Sequence, residues 1–220
     1  MKKILFLIPA FLLAFQLSNA QTQKGTQTLG LYLGYGHSSE NYSYTDPLTN
    51  SLTTEQFKYT TTAIGPSYGY FIADGSEIGT NLSYNHTKSD NTSITTATNS
   101  NGQTSNTYSA SIFFRKYVLI QNKFGFRAGP YAGYEHDIAK YTPDNFSNNN
   151  TSNGYRVGGN FDLVYYPTNK LGIAANVVNI NYGHSTANGA NDYKGKQDNF
   201  NFSYLNNGLL LTLFYVIGSK

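Results

Sequence analysis

The sequence predicts an all-β fold, an eight-stranded antiparallel up-and-down β-barrel that crosses a lipid bilayer once a signal peptide has been cleaved. Three observations carry this. Apolar residues alternate with period two along successive segments, connections alternate between tight turns and long polar stretches, and charged residues sit mid-strand on the face opposite the apolar one.

The N-terminus comes first. Met1-Lys2-Lys3 is a short positive start, Ile4 to Leu17 an almost unbroken apolar run, and Ser18-Asn19-Ala20 ends in the small residues a signal peptidase accepts. The run has 14 residues against the about 20 that a spanning α-helix needs. Residues 1–20 are therefore expected to be a signal peptide and 21–220 one barrel domain beginning at Gln21. No later stretch is long and apolar enough for a spanning helix, so a membrane position requires a closed sheet, which alone pairs every strand edge in lipid.

Composition agrees. The chain has 20 Tyr, 14 Phe and 21 Gly but only 12% charged residues, which suits strands and turns. Without Lys2 and Lys3, thirteen basic residues face twelve acidic ones, which leaves no electrostatic footprint for nucleic acid. The absence of cysteine excludes a disulfide framework.

In strand one, Leu29, Leu31, Leu33 and Tyr35 alternate with Gly30, Tyr32, Gly34 and Gly36. Further strands are expected at about 55–72, 76–87, 105–119, 124–138, 153–166, 170–183 and 199–217. Parity changes near Ala63-Ile64, Val177-Val178 and 205–208 read as bulges. Ala73 to Ser76, Leu119 to Lys123 and Pro167 to Lys170 are tight turns, whereas about 38–54, 88–104, 139–152 and 184–198 are long loops rich in Asn, Ser, Thr and Gly. Asn-x-Ser/Thr triplets there, such as Asn41-Tyr42-Ser43, follow from that composition and are not read as glycosylation sites.

An internal repeat supports four hairpins. Tyr35-Gly36-His37, Tyr84-Asn85-His86, Tyr134-Glu135-His136 and Tyr182-Gly183-His184 recur at spacings of 49, 50 and 48 residues and contain all 4 histidines. Each marks the loop end of an odd-numbered strand. These tyrosines and histidines are expected to form a membrane-interface girdle, with Tyr68, Tyr70, Phe114, Phe126, Tyr165 and Tyr215 toward the other interface.

The charges decide which face is inside. Arg127 and Glu135 oppose Ala128, Pro130, Ala132 and Tyr134, and Arg156 and Asp162 oppose Val157, Phe161 and Leu163. A soluble barrel would turn its apolar face inward, but five mid-strand charges suit an enclosed polar lumen. Arg115, Arg127, Glu135, Arg156 and Asp162 are thus expected to form a lumenal network, Asp162 lying between Arg127 and Arg115.

With these residues in view, the chain resembles the outer-membrane β-barrel superfamily that includes the membrane domain of OmpA and OmpX-like, porin-like small barrels, over about residues 25–217. The resemblance implies residence in the outer membrane of a Gram-negative cell envelope and insertion by the barrel-assembly machinery. It implies contact with outer-membrane lipid, including lipopolysaccharide, and no catalytic residues.

Other chemistries fare less well. Imidazoles can bind metals, but histidines on alternate strands point outward roughly 10 Å apart and diverge, so no metal is expected. Lipid-modifying barrels place His and Ser at the bilayer level, yet in His37-Ser38 and His184-Ser185 neighbouring side chains face opposite sides of a strand. A carboxylate at Glu40 or Asp192 would be needed as well. Gly30, Gly34 and Gly36 lack phosphate-loop spacing. The expectation is a non-enzymatic monomer without cofactor, with a structural or surface-interaction role through four long extracellular loops. A narrow porin-like channel for ions or small solutes is the alternative, and a lipid-modifying enzyme ranks third.

Overall fold

The computed structural model describes residues 20–45, 52–93, 101–142, 150–188, 194–204 and 208–218. A short 3₁₀ turn, Ala20–Thr22, precedes the strands β1 (Gln27–Thr45), β2 (Leu52–Ala73), β3 (Ser76–Ser93), β4 (Asn101–Ile120), β5 (Phe124–Thr142), β6 (Asn150–Tyr165), β7 (Leu171–Asn188), β8 (Lys194–Tyr204) and β9 (Gly208–Ile217). Each of β1 to β7 pairs antiparallel with the next. β8 pairs with β7, and β9 bridges β7 and β1, which closes the ring. β8 and β9 are two segments of the expected eighth strand. No described helix is long and apolar enough to cross a membrane.

The barrel has a turn end and a loop end. At the turn end, Gly75 takes φ +65°, and Gln121 and Asn122 take φ 50° and 60°. These left-handed positions suit the short reversals placed from the sequence.

The loop end corrects the expected boundaries. Much of 38–54, 88–104, 139–152 and 184–198 is strand, and what remains between the strands lies outside the described residues. The sequence signal stopped where apolar alternation stopped. Hydrogen-bonded ladders do not require apolar side chains, and Ser43–Thr54, Thr61–Thr87 and Ser83–Ser109 hydroxyl pairs join facing strands.

Register settles two of the three expected bulges; the third, near 205–208, falls on 205–207, which lie outside the described residues. Val177 is skipped between Phe161↔Val178 and Asp162↔Asn176, so β7 bulges where its parity changes. The bulge expected at Ala63-Ile64 is absent. β1 and β2 stay in one register from Gln27↔Tyr70 to Thr45↔Leu52. The outward face there runs from Thr60 and Thr62 into Ile64, a change of polarity along one face that mimics a change of parity. The shift in β2 comes later, between Phe71 and Ala73.

Leu29, Leu31 and Leu33, and Ile64, Leu82, Ile112, Val157 and Ile180 on other strands, are exposed on the outside of the ring. Inside, at the turn end, Phe71, Leu119, Val164, Tyr166, Phe214 and Val216 pack into a buried cluster. The segment before β1 closes this end: Gln21 and Thr22 are buried, Gln21 Nε2 donates to Asn169 Oδ1 at 3.2 Å, and Gly75 N–H donates to Thr22 O at 2.7 Å.

Candidate functional site: the lumen and the outward belt

Two assemblies of polar side chains stand out, one inside the ring and one around it. Above the apolar cluster lies a layer of buried charge. Arg127 and Asp162 face each other directly across β5 and β6, with Arg127 Nε donating to Asp162 Oδ2 at 2.7 Å. Asn176 Nδ2 donates to the other carboxylate oxygen at 2.8 Å, and Arg127 Nη1 donates to the Tyr117 hydroxyl at 3.0 Å. Each ion thus has charge-assisted hydrogen bonds, as enclosure demands.

The expected placement of Asp162 between two guanidiniums needs correction. Arg115 takes its ion pair from Glu77, at 3.8 Å between Nη1 and Oε2, and stacks over Phe113 at 3.7 Å. Arg115 and Arg127 are offset along β4 and β5, where Tyr117 stands opposite Arg127, so a second acid serves the second cation. Glu77 is 1% exposed and also accepts hydrogen bonds from Thr28 Oγ1 and, at 2.8 Å, from Tyr117. Sequence reasoning missed it. Its signal was parity, since Glu77 shares a strand face with Gly79, Asn81 and Ser83. Gly69 makes room for it: a Cβ there would collide with Glu77 Oε1 and Thr28 Oγ1.

Glu135 and Arg156 form the remaining expected pair, at 2.9 Å, diagonally, because Arg156 stands opposite Gly133. This pair lies on the loop side of the buried layer, in the wall of an open polar cavity of about 560 Å³ that also includes Tyr32, Tyr131 and Asn179. All five sequence-derived lumenal charges therefore turn inward, in two tiers.

The belt is built from the repeat. Each histidine stands directly opposite an acceptor on the next strand: His37 on Thr60, His86 on Asn106, His136 on Asn153 and His184 on Asp198. Nδ1 lies 3.0, 2.9, 2.8 and 2.8 Å from the respective oxygens. In the last three units the tyrosine two residues earlier donates to the same oxygen, Tyr84 at 2.7 Å, Tyr134 at 2.8 Å and Tyr182 at 2.6 Å. An amide or carboxylate oxygen only accepts, so Nδ1 carries the hydrogen and Nε2 is left for the surroundings. Asp198 lies on the loop side of the apolar band, and the hydrogen bonds from Tyr182 and then His184 hold its carboxyl below the usual carboxylate range.

Tyr35, Tyr84, Tyr134 and Tyr182 are exposed, as are Tyr108 and Tyr155, which the repeat did not include. Tyr108 and Tyr155 stand opposite His136 and His184 on the preceding strands, and the Tyr155 and His184 rings stack with centroids 5.3 Å apart. Among the described residues, no three His, Asp or Glu side chains are grouped to hold a metal ion. His184 engages Asp198, while Ser185 turns inward beside Gly154, so the two do not meet as base and nucleophile. Asp192 lies outside the described residues.

A family model described as outer membrane protein β-barrel domain matches residues 9–205. No curated protein matches the chain. Among solved structures, OprG from Pseudomonas aeruginosa is 12% identical with a TM-score of 0.47, covering 90% of this chain and 99% of that one. Ail, the attachment invasion locus protein of Yersinia pestis, is 12% identical with a TM-score of 0.45, covering 89% and 100%. The N-terminal β-barrel domain of Pseudomonas aeruginosa OprF is 12% identical with a TM-score of 0.38, covering 88% and 98%.

Proposed function

Because the chain belongs to the outer membrane protein β-barrel domain family and resides in the bacterial outer membrane, we propose that it serves as a closed barrel that presents its loop end to the exterior. Its role is surface interaction or structural support, not solute passage or catalysis. The observation that carries this is the packed turn-end half of the lumen. Phe71, Tyr117, Phe214 and the Arg127–Asp162 and Arg115–Glu77 pairs fill the cross-section. An eight-stranded ring encloses only about enough space for side chains, whereas general porins use about 16 to 18 strands.

The projecting strands supply the interacting part. Tyr42 and Phe57 pack edge to face with ring centroids 5.5 Å apart on the β1–β2 hairpin, beyond the belt, and Tyr44 and Tyr59 are exposed beside them. The Tyr–His belt sits where the apolar band ends, and its free Nε2 atoms meet outer-leaflet headgroups, including lipopolysaccharide. As a monomer inserted by the barrel-assembly machinery, the protein needs no further subunit to complete the ring.

Planar-bilayer recording and liposome swelling with small sugars test the closed lumen. No stable large-conductance step and no sugar entry are expected, and rapid entry would overturn the reading. A narrow channel is the second reading, favoured by the polar cavity on the loop side; the packed layer beneath it stands against passage.

A further inference from the structure

We propose that the loop-side half of the lumen is a blind binding vestibule for a small neutral polyhydroxylated solute, of the size and chemistry of a mono- or disaccharide. That the vestibule is closed at its floor rests on the closed-lumen reading; the binding site does not.

Size is the first support. The cavity holds about 560 Å³, inside the roughly 300–1,000 Å³ range of small-molecule sites. Its lining is the second. Six asparagines line it together with serine and threonine hydroxyls, and the charges among its lining residues are Glu135 and Arg156, which neutralise each other at 2.9 Å. Carboxamides and hydroxyls offer donors and acceptors side by side, which matches vicinal hydroxyl groups that must do both. An anion would find one guanidinium already engaged by a carboxylate, and an apolar ligand would strand these polar groups.

Part of the lining is held in place. Tyr131 and Asn181 both donate to Asn179 Oδ1, at 3.3 and 2.7 Å. This orients the Asn179 amide, so its Nδ2 and the Oδ1 of Asn181 are the groups left for an occupant of the cavity that both residues line. Fixing a polar group beforehand lowers the entropic cost of binding. The third support is the approach. Tyr42, Phe57 and Tyr59 occupy the same strand faces as the lumen-lining residues of β1 and β2, which share one unbroken register. They are exposed beyond the ring. Flat rings beside a mouth suit the C–H faces of a sugar ring, and Tyr32 and Tyr131 repeat that surface within.

The test uses the folded full-length mature barrel in detergent micelles. Isothermal titration with glucose, maltose and sucrose is run beside inorganic phosphate and alanine. Saturable binding of at least one sugar is expected, weakened about tenfold or more by Asn181→Leu combined with Asn199→Leu. Asn85→Leu, a single change on another wall, should weaken it as well and guards against a double variant that does not fold. Retained heat-dependent gel mobility identifies folded variants. No saturable binding of any of the three sugars, binding of phosphate in their place, or sugar binding that folded variants leave unchanged would overturn the proposal. Sugar entry in the separate liposome assay would break the closed-lumen reading and leave the site standing.

Discussion

Tyr134 and His136, two residues apart on one strand, both place their polar atoms 2.8 Å from the same oxygen, Oδ1 of Asn153 on the facing strand. Two donors on one acceptor tie the belt across the β5–β6 pair. Asn153→Ala removes both bonds at once, so it should cost about 1–2 kcal/mol at the net worth of such bonds. Urea unfolding in lipid vesicles measures this, and adding His136→Ala to Asn153→Ala should cost less than His136→Ala does alone.

Asp162→Ala should destabilise the barrel by about 3–5 kcal/mol, because Arg127 is left buried beside a neutral methyl group. Replacing both ions, Arg127→Met with Asp162→Leu, should recover much of that loss. The urea midpoint of the folded band in semi-native gels reads both. A lone Asp162→Ala as stable as the parent would remove the buried pair from any structural role.

Gly69→Ala places a methyl group against Glu77 and Thr28 in an enclosed layer, an overpacking worth about 1–3 kcal/mol. At Gly36 an added Cβ meets nothing within 4 Å, so Gly36→Ala serves as the control and should leave the unfolding midpoint nearly unchanged. Equal destabilisation at the two glycines would show that the contact with Glu77 and Thr28 is not responsible, since the backbone freedom lost by the unfolded chain acts in the stabilising direction.

The lowered carboxyl of Asp198 sets a pH dependence. A depressed folded-state pKa contributes stability above the unfolded value of about 3.9 and loses it as pH falls through the folded one. Asp198→Asn keeps an acceptor of the kind found at Asn106 and Asn153 but does not titrate. The stability difference between parent and variant should therefore be steady from neutral pH to about pH 5 and shrink below about pH 4. A difference that does not vary with pH would mean that Asp198 is not held by its two donors.

Processing gives a further test. Outer-membrane fractions should yield a mature chain starting at Gln21, whose side chain is buried and bonded to Asn169 at the turn end. Intact-mass measurement decides it, and protein retaining Met1 would contradict cleavage. In cleaved protein, Gln21→Ala should loosen the turn-end closure, seen as faster hydrogen exchange at Gly75 N–H.

The sequence by itself determined which side of the ring faces lipid. Period-two alternation gives every strand two unlike faces, and residues such as Arg127 and Asp162 tolerate enclosure only with partners, so the polar face had to turn inward. It also determined the turn ends, because the reversals at Gly75 and at Gln121-Asn122 are local conformations. The four Tyr-x-His units were legible too, as a repeat. What they bind was not, because Asn106, Asn153 and Asp198 lie 14 to 22 residues away and become partners only through register.

Tertiary structure alone decided the rest. Arg115 finds Glu77, 38 positions away, because the β3–β4 register sets the two directly opposite each other and Gly69 leaves a hollow for the carboxylate. The polar outer ends of the strands read as loops, since a ladder of backbone bonds leaves no apolar trace in the side chains. The lumen also divides into a packed turn-end half and an open loop-side half. Whether an inward residue is buried depends on what faces it across the ring, a relation between strands that no single stretch of sequence contains.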